Sequence, residues 1–176
     1  MIGRRSVISS FTLSRVVRLK KITLSKLRSV DQELLLTARD AMEEAYNPYS
    51  KFFVGAALRT LDGQIVSGAN FENASYSVAI CAERSAIVRA AAMGHTTFGR
   101  IAVIGRGAKA PTKQVISPCG VCRQMLFESA QLSRRNIEVI MSSTDMKRIV
   151  VATIEELLPL GFGPASLGLE VARFRR

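Results

Sequence analysis

No stretch of the 176-residue sequence approaches the roughly 20 uninterrupted apolar residues that a membrane helix needs, so no membrane partner is expected. The three cysteines, Cys81, Cys119 and Cys122, are odd in number and cannot close into a complete disulfide framework. With no signal-peptide pattern at the start, a reducing compartment, the cytosol, is the expectation. Histidine is nearly missing as well: His95, after Gly94, is the only one and reads as an exposed loop residue. Acids are absent from residues 1–29, which carry eight basic residues, and the last six residues add Arg173, Arg175 and Arg176. The net charge of +11 therefore belongs to the ends, because residues 30–170 hold 14 basic and 14 acidic residues. A neutral body lacks the basic face of a duplex-binding domain, so no nucleic-acid partner is expected. Gly105-Arg106-Gly107 lacks the third glycine and the acidic partner of a dinucleotide site.

What is present divides the chain into a basic leader, 1–29, and one domain, 30–176. The leader is rich in Arg and Ser and mixed with Phe11, Leu13, Val16, Val17, Leu19, Ile22 and Leu24, a pattern that could form a basic amphipathic helix and has the composition of a mitochondrial transit peptide. A disordered basic leader is the alternative. The 48% hydrophobic content is ample for a single core. Ser29 and Gln32 read as a capping box for a helix with Leu34, Leu35, Ala38 and Met42 at helical spacing, ending before Asn47-Pro48. Residues 51–60 and 64–70 read as a hairpin turning at Asp62-Gly63. A helix over 78–93, a strand over 100–105 and a helix from Pro118 to 132 follow, then strands at 137–141 and 148–151 and a short helix opened by Thr153 and Glu156. Strands alternating with helices indicate an α/β layered domain.

All three cysteines fall at expected helix starts, where free backbone N–H groups and the positive dipole end favour the thiolate that binds metal. A C-x-x-C turn brings two sulfurs onto one ion, and a third thiolate from another helix makes a three-ligand zinc site with a position left for water. Glu83, two residues after Cys81, is placed to carry protons beside such a metal. A closed structural zinc knot, or a redox pair of Cys119 and Cys122 with Cys81 incidental, stays open on these residues alone.

Cys81-Ala82-Glu83 followed by Pro118-Cys119-Gly120-Val121-Cys122 resembles the zinc-dependent nucleoside and nucleobase deaminases. Asn47-Pro48-Tyr49-Ser50-Lys51-Phe52, Val54-Gly55-Ala56-Ala57-Leu58, the run from Gly68 to Tyr76, the run from Cys81 to Ile87, Ser117 to Gln124, and Glu155 to Pro159 are similar to the corresponding stretches of cytidine deaminases. Together they span residues 30–168. The resemblance implies a three-layer α/β/α sandwich around a mixed five-stranded sheet, one Zn²⁺ per subunit on Cys81, Cys119 and Cys122, and a homotetramer with shared active sites. The implied reaction is hydrolysis of cytidine and 2′-deoxycytidine to uridine and deoxyuridine, part of pyrimidine salvage, with Glu83 as proton carrier. Phe52 would stack on the pyrimidine, and Asn70 and Glu72 would hold the sugar. Phe71, Asn73, Ala74, Ser75, Tyr76 and Ala82 would complete the substrate cleft, and Phe162 would reach a neighbouring subunit's pocket or else anchor the C-terminus. Arg84 and Arg123 would donate hydrogen bonds to the sulfurs, offsetting the net −1 of Zn²⁺ with three thiolates, with Gln124 beside them. A deaminase of another cytosine nucleoside, of the blasticidin type, is the nearest alternative; a polynucleotide-editing deaminase and a zinc-stabilised binding protein without activity are the others.

Overall fold

The computed structural model describes residues 19–174. Its strands are β1 (Lys20–Ile22), β2 (Phe53–Thr60), β3 (Ile65–Ala69), β4 (Phe98–Arg106), β5 (Glu138–Ser142) and β6 (Ile149–Thr153). The helices are α1 (Ser29–Met42), α2 (Ala82–Ala92), α3 (Gly120–Ser133) and the single turn α4 (Ile154–Leu157). One sheet runs in the order β1-β6-β5-β4-β2-β3. Neighbours are antiparallel except β4 and β5, whose parallel pairing needs a crossover that α3 supplies.

The central strands alternate between two buried faces, which is why they read as continuous apolar runs. Ala57, Ala102, Ile104 and Ile140 meet Leu34, Leu35, Ala38 and Met42 of α1 on one side. Ala56, Leu58, Ile101, Val103, Val139 and Met141 meet Ala82, Ala86 and Ala90 of α2 and Leu126 of α3 on the other. The result is the expected three-layer α/β/α arrangement. Two glycines set the helix-to-sheet distance. A Cβ on Gly55 would collide with the backbone of Ala38 and Met42, and one on Gly68 with the backbone of Ala86 and Ala82. Both helices thus rest on bare main chain.

The sheet has six strands rather than the expected five. Lys20–Ile22 pairs antiparallel with β6, Lys20 opposite Val151 and Ile22 opposite Ile149. The pairing gives the backbone groups along that edge of β6 their partners, while Ile22, Leu24 and the buried Leu27 join the α1 side of the core. The stretch 20–28 of the expected leader therefore belongs to the folded body; residues 1–18, with the rest of that expectation, lie outside the described residues. The transit-like composition hides β1, because its only apolar residue among three is Ile22. No helix among the described residues is long and apolar enough to cross a membrane.

The α1 cap also differs from expectation. Arg28, not Ser29, is the N-cap, and Gln32 Nε2 donates to Leu27 O (2.9 Å) instead of closing a capping box. Buried Asp31 decides the geometry: it accepts from Arg28 Nε (2.8 Å) and from Arg100 Nη1 on β4 (3.1 Å), and Arg100 also pairs with Glu138 on β5. The second expected box does form, with Thr153 N–H donating to Glu156 Oε2 (2.7 Å).

If residues 20–27 are integral to the body, Leu27→Ala lowers stability by about 2–3 kcal/mol, within the usual cost of a buried Leu truncation. The measurement is a urea titration in which the midpoint moves and the slope does not. An unmoved midpoint would show this segment to be dispensable.

Candidate active site

Both chemistry-bearing helices begin on a cysteine. Cys81 is the N-cap of α2 and Cys119 the N-cap of α3, each with extended backbone (φ −75°, ψ 154° and φ −68°, ψ 170°). Each carbonyl already accepts the first helical bond, Ser85 N–H donating to Cys81 O (3.0 Å) and Arg123 N–H to Cys119 O (2.9 Å). Cys122 follows in the first turn of α3 and is buried. The three Sγ atoms lie within 4.8 Å of one another, Cys81 to Cys119 at 3.9 Å and Cys119 to Cys122 at 3.5 Å. Those separations are far too long for disulfides. Three sulfurs each about 2.3 Å from a tetrahedral zinc stand about 3.8 Å apart, so this donor set fits that ion.

Two helix N-termini meet at the thiols, and their titration reflects the crowding. Cys81 is lowered to about 5, chiefly because Cys122 donates a hydrogen bond to it, against burial and with help from Cys119 and the Arg84 guanidinium. Cys122 is raised for the same reason, since it is the thiol that keeps its proton. Glu83, in the first turn of α2, is only 4% exposed. Burial pushes its carboxyl up, and the negative charge of Cys81 adds to the push.

A two-stranded bridge joins this cluster to the segment expected to hold a sugar. Phe71 N–H donates to Ile80 O and Ile80 N–H to Phe71 O, both at 3.0 Å, and Ile80 immediately precedes Cys81. Asn70 and Glu72, flanking Phe71, are thereby carried beside the thiols. Asn70 is more deeply engaged than a simple turn former. Its Nδ2 donates to Phe52 O (3.0 Å), and its Oδ1 accepts from Val54 N–H (2.8 Å). Glu72 Oε2 accepts from the amides of Tyr49 (3.0 Å) and Ser50 (3.2 Å), and with the Ser50 side chain these hold its carboxyl below the usual range. The two residues therefore shape the loop that carries Phe52, itself half-buried.

Ala82 is fully buried under the start of α2. Asn73, Ala74, Ser75 and Tyr76 form an exposed loop, with Ser75 N–H donating to Asn73 Oδ1 (2.9 Å) and the Tyr76 ring edge-on to Tyr49 at 5.9 Å. The Phe71 ring stacks on Tyr46 at 4.8 Å and is more than half exposed. Phe162 is 60% exposed and its carbonyl accepts from Gln124 Nε2 (2.7 Å), so Gln124 ties the C-terminal segment to α3. Arg84 sits beside Cys81 and donates to Ala79 O (2.7 Å). Arg123 departs from expectation: its guanidinium donates to Pro118 O (2.8 Å), Leu157 O (3.0 Å) and Ser117 Oγ (2.7 Å), not to a sulfur. It braces the turn leading into Cys119. Sequence reasoning missed Ser117, whose hydroxyl accepts from Arg123, because that pairing is set by the turn's geometry, and it missed Tyr49 and Ser50 as amide donors to Glu72 because backbone donors leave no mark in residue identity.

The sequence of the family described as the cytidine and deoxycytidylate deaminase zinc-binding region matches residues 28–137. The chain is 42% identical over 133 residues to a cytidine deaminase of Halalkalibacterium halodurans, covering 74% of this chain and 92% of that one. It is 39% identical over 137 residues to a cytidine deaminase of Sporosarcina psychrophila, covering 77% and 93%. Among solved structures, a cytidine deaminase from Burkholderia pseudomallei superposes with a TM-score of 0.66 at 41% identity, over 74% of this chain and 97% of that one.

In metal-free protein, Cys81 is expected to react with iodoacetamide at about pH 6.5 about threefold faster than an ordinary thiol, because its far larger thiolate fraction is mostly offset by weaker nucleophilicity, and the rate collapses as pH falls through the lowered pKa. Arg84→Ala moves that pH profile upward. Peptide mass spectrometry reads both, and a Cys81 profile that rises only near pH 8–9 contradicts the shared-proton picture.

Proposed function

The chain belongs to the cytidine and deoxycytidylate deaminases that carry a zinc-binding region, and from that membership we infer that it hydrolyses cytidine to uridine and ammonia with one zinc ion as cofactor. The observation that carries this reading is the cluster of three thiols at two helix N-termini with a buried carboxyl, Glu83, in the adjoining turn. Cys81, Cys119 and Cys122 would hold the ion. Once bound, zinc supplies Lewis-acid activation of water near neutral pH.

The chain's own groups account for the proton traffic. In the net reaction a C4–O bond forms from water, the C4–N bond breaks, and the amine leaves as ammonia. Starting as a carboxylate, Glu83 takes one proton from the attacking water and delivers it to N3, then takes the proton of the new C4 hydroxyl and delivers it to the departing amine; the burial that pushes its carboxyl up helps it hold each proton in transit. Arg84 offsets the negative charge that three thiolates leave around a divalent cation. Arg123 holds the Ser117-Pro118 turn so that Cys119 keeps its place. Phe52 stacks on the pyrimidine, Asn70 and Glu72 bind the sugar hydroxyls, and Phe71, Asn73, Ala74, Ser75, Tyr76 and Ala82 surround the bound nucleoside. The sugar-binding pair asks for an uncharged nucleoside, 2′-deoxycytidine included, in keeping with a salvage role.

Folded residues from Lys20 onward form the catalytic domain in this reading, and the protein acts in the cytosol, or in mitochondria if the basic leader serves as a transit peptide. The assembly is a homotetramer in which Phe162 enters a neighbour's cleft. Exposure of Phe162 and of the nearby Leu160 and Leu167 supports it, since apolar side chains at 60%, 85% and 62% exposure gain by being covered.

Purified protein should contain one zinc per chain and convert cytidine to uridine, followed by loss of absorbance. Glu83→Gln should keep the zinc and lose about 10²–10⁴-fold in kcat. Zinc-loaded protein that leaves cytidine, deoxycytidine and blasticidin untouched would return the chain to a binding protein. For the shared site, Glu83→Gln and Phe162→Ala proteins, each impaired alone, should regain activity when unfolded together and refolded, because mixed assemblies contain sites with both native residues. No recovery would mean that each chain works alone.

A further inference from the structure

We propose that Asn47 is a positioning residue that fills the last lone pair of the Asn70 amide oxygen, leaving that amide a donor only, and so makes the sugar end of the site selective for a hydroxyl group. The inference rests on the reading that Asn70 and Glu72 contact the sugar. Asn47 is 4% exposed and precedes Pro48 just beyond the end of α1. The main chain delivers it there. Tyr46 N–H donates to Asn70 O (3.2 Å) and Glu72 N–H donates to Tyr46 O (2.8 Å), so the segment ahead of Asn47 runs alongside residues 70–72. Stacking of Tyr46 on Phe71 fixes the same register from the side-chain side.

From this position Asn47 Nδ2 donates to Asn70 Oδ1 (3.2 Å), the oxygen that already accepts from Val54 N–H (2.8 Å). A carbonyl oxygen has two lone pairs, and both are now used. Turning the Asn70 amide over would set its NH₂ against two donors and its oxygen against Phe52 O, which at present accepts from Asn70 Nδ2 (3.0 Å). The amide is therefore held in one orientation, in which Nδ2 has a second N–H to give and Oδ1 has nothing left to accept with. Glu72, held ionised by its hydrogen bonds, is an acceptor only. Together they offer one donor and one acceptor, the complement of a hydroxyl, which both donates and accepts.

Stability alone does not explain an asparagine here. Its Oδ1 is buried with no hydrogen-bond partner among the described residues. Turning the Asn47 side chain would only place that oxygen against Asn70 Oδ1. Leucine, of similar size, would fill the space with no unpaired acceptor. The polar residue is costly for the fold and useful only through what it does to Asn70.

The test is steady-state kinetics on zinc-loaded Asn47→Leu and Asn47→Asp proteins with cytidine and with 2′,3′-dideoxycytidine, beside thermal melts. Asn47→Leu should melt at or above the parent temperature and raise KM for cytidine about fivefold with kcat little changed, while KM for the dideoxy substrate stays put. Asn47→Asp, the same shape with an acceptor facing Asn70 Oδ1, should raise the cytidine KM further. Equal effects on both substrates, a lowered melting point with kcat and KM moving together, or no effect at all would overturn the proposal. Asn70→Ala and Glu72→Gln are run in parallel. If neither narrows the gap between the two substrates, the sugar-contact reading itself has failed; if they do and Asn47→Leu does not, only the role of Asn47 has.

Discussion

Everything at the site depends on two helices starting at the same point in space. Cys81 and Cys119, 38 residues apart, bring their sulfurs to 3.9 Å only because α2 and α3 lie on one face of the sheet with their N-termini together. Holding them costs the fold something in the absence of a cation. Helix-end N–H groups attract negative charge, yet three thiolates repel one another, and the compromise is a shared proton: Cys81 charged, Cys122 not. A divalent cation resolves the conflict. The seating of α2 on Gly68 is part of the same constraint, since any side chain there would lift the helix, and Cys81 with it.

A second economy is that the groups around the substrate also build the loops they stand on. Asn70 and Glu72 hold Phe52, Val54, Tyr49 and Ser50 through main-chain hydrogen bonds, so the residue proposed to stack on a base is positioned by the residues proposed to hold a sugar. The Phe71–Ile80 bridge then couples that assembly to Cys81. Binding and chemistry are linked through a few backbone bonds rather than through a chain of side chains, which keeps the geometry stiff.

Much of this was legible from residue order. Apolar runs, Asp62-Gly63 and the Thr153–Glu156 box located the strands, the hairpin turn and the last helix, because those signals are local and their physics acts within a few residues. The α1 start was read correctly but for the wrong cause. Ser29 and Gln32 had the right spacing for a capping box, and a buried ion pair between Asp31 and Arg100, 69 residues away, chose Arg28 instead. β1 was missed because a three-residue edge strand with two lysines carries no alternation to read; it exists through the open edge of β6. Arg123 was assigned to the sulfurs by adjacency, but a long side chain goes where acceptors converge, here Pro118 O and Leu157 O.

The sequence by itself determined the chemistry: three thiols at helix-start positions, a carboxylate two residues after the first, and the ordered motifs that mark a cytosine-nucleoside deaminase. Ligand type and dipole position follow from residue identity and local structure, so they survive without coordinates. Only the tertiary structure decided orientation. That Cys81 bears the charge, that Arg123 braces a turn, that the Asn70 amide is a donor only and that residues 20–22 complete the sheet all depend on partners 23 to 131 residues distant in the chain. Such contacts are set by how the layers pack, and a linear pattern holds no record of them.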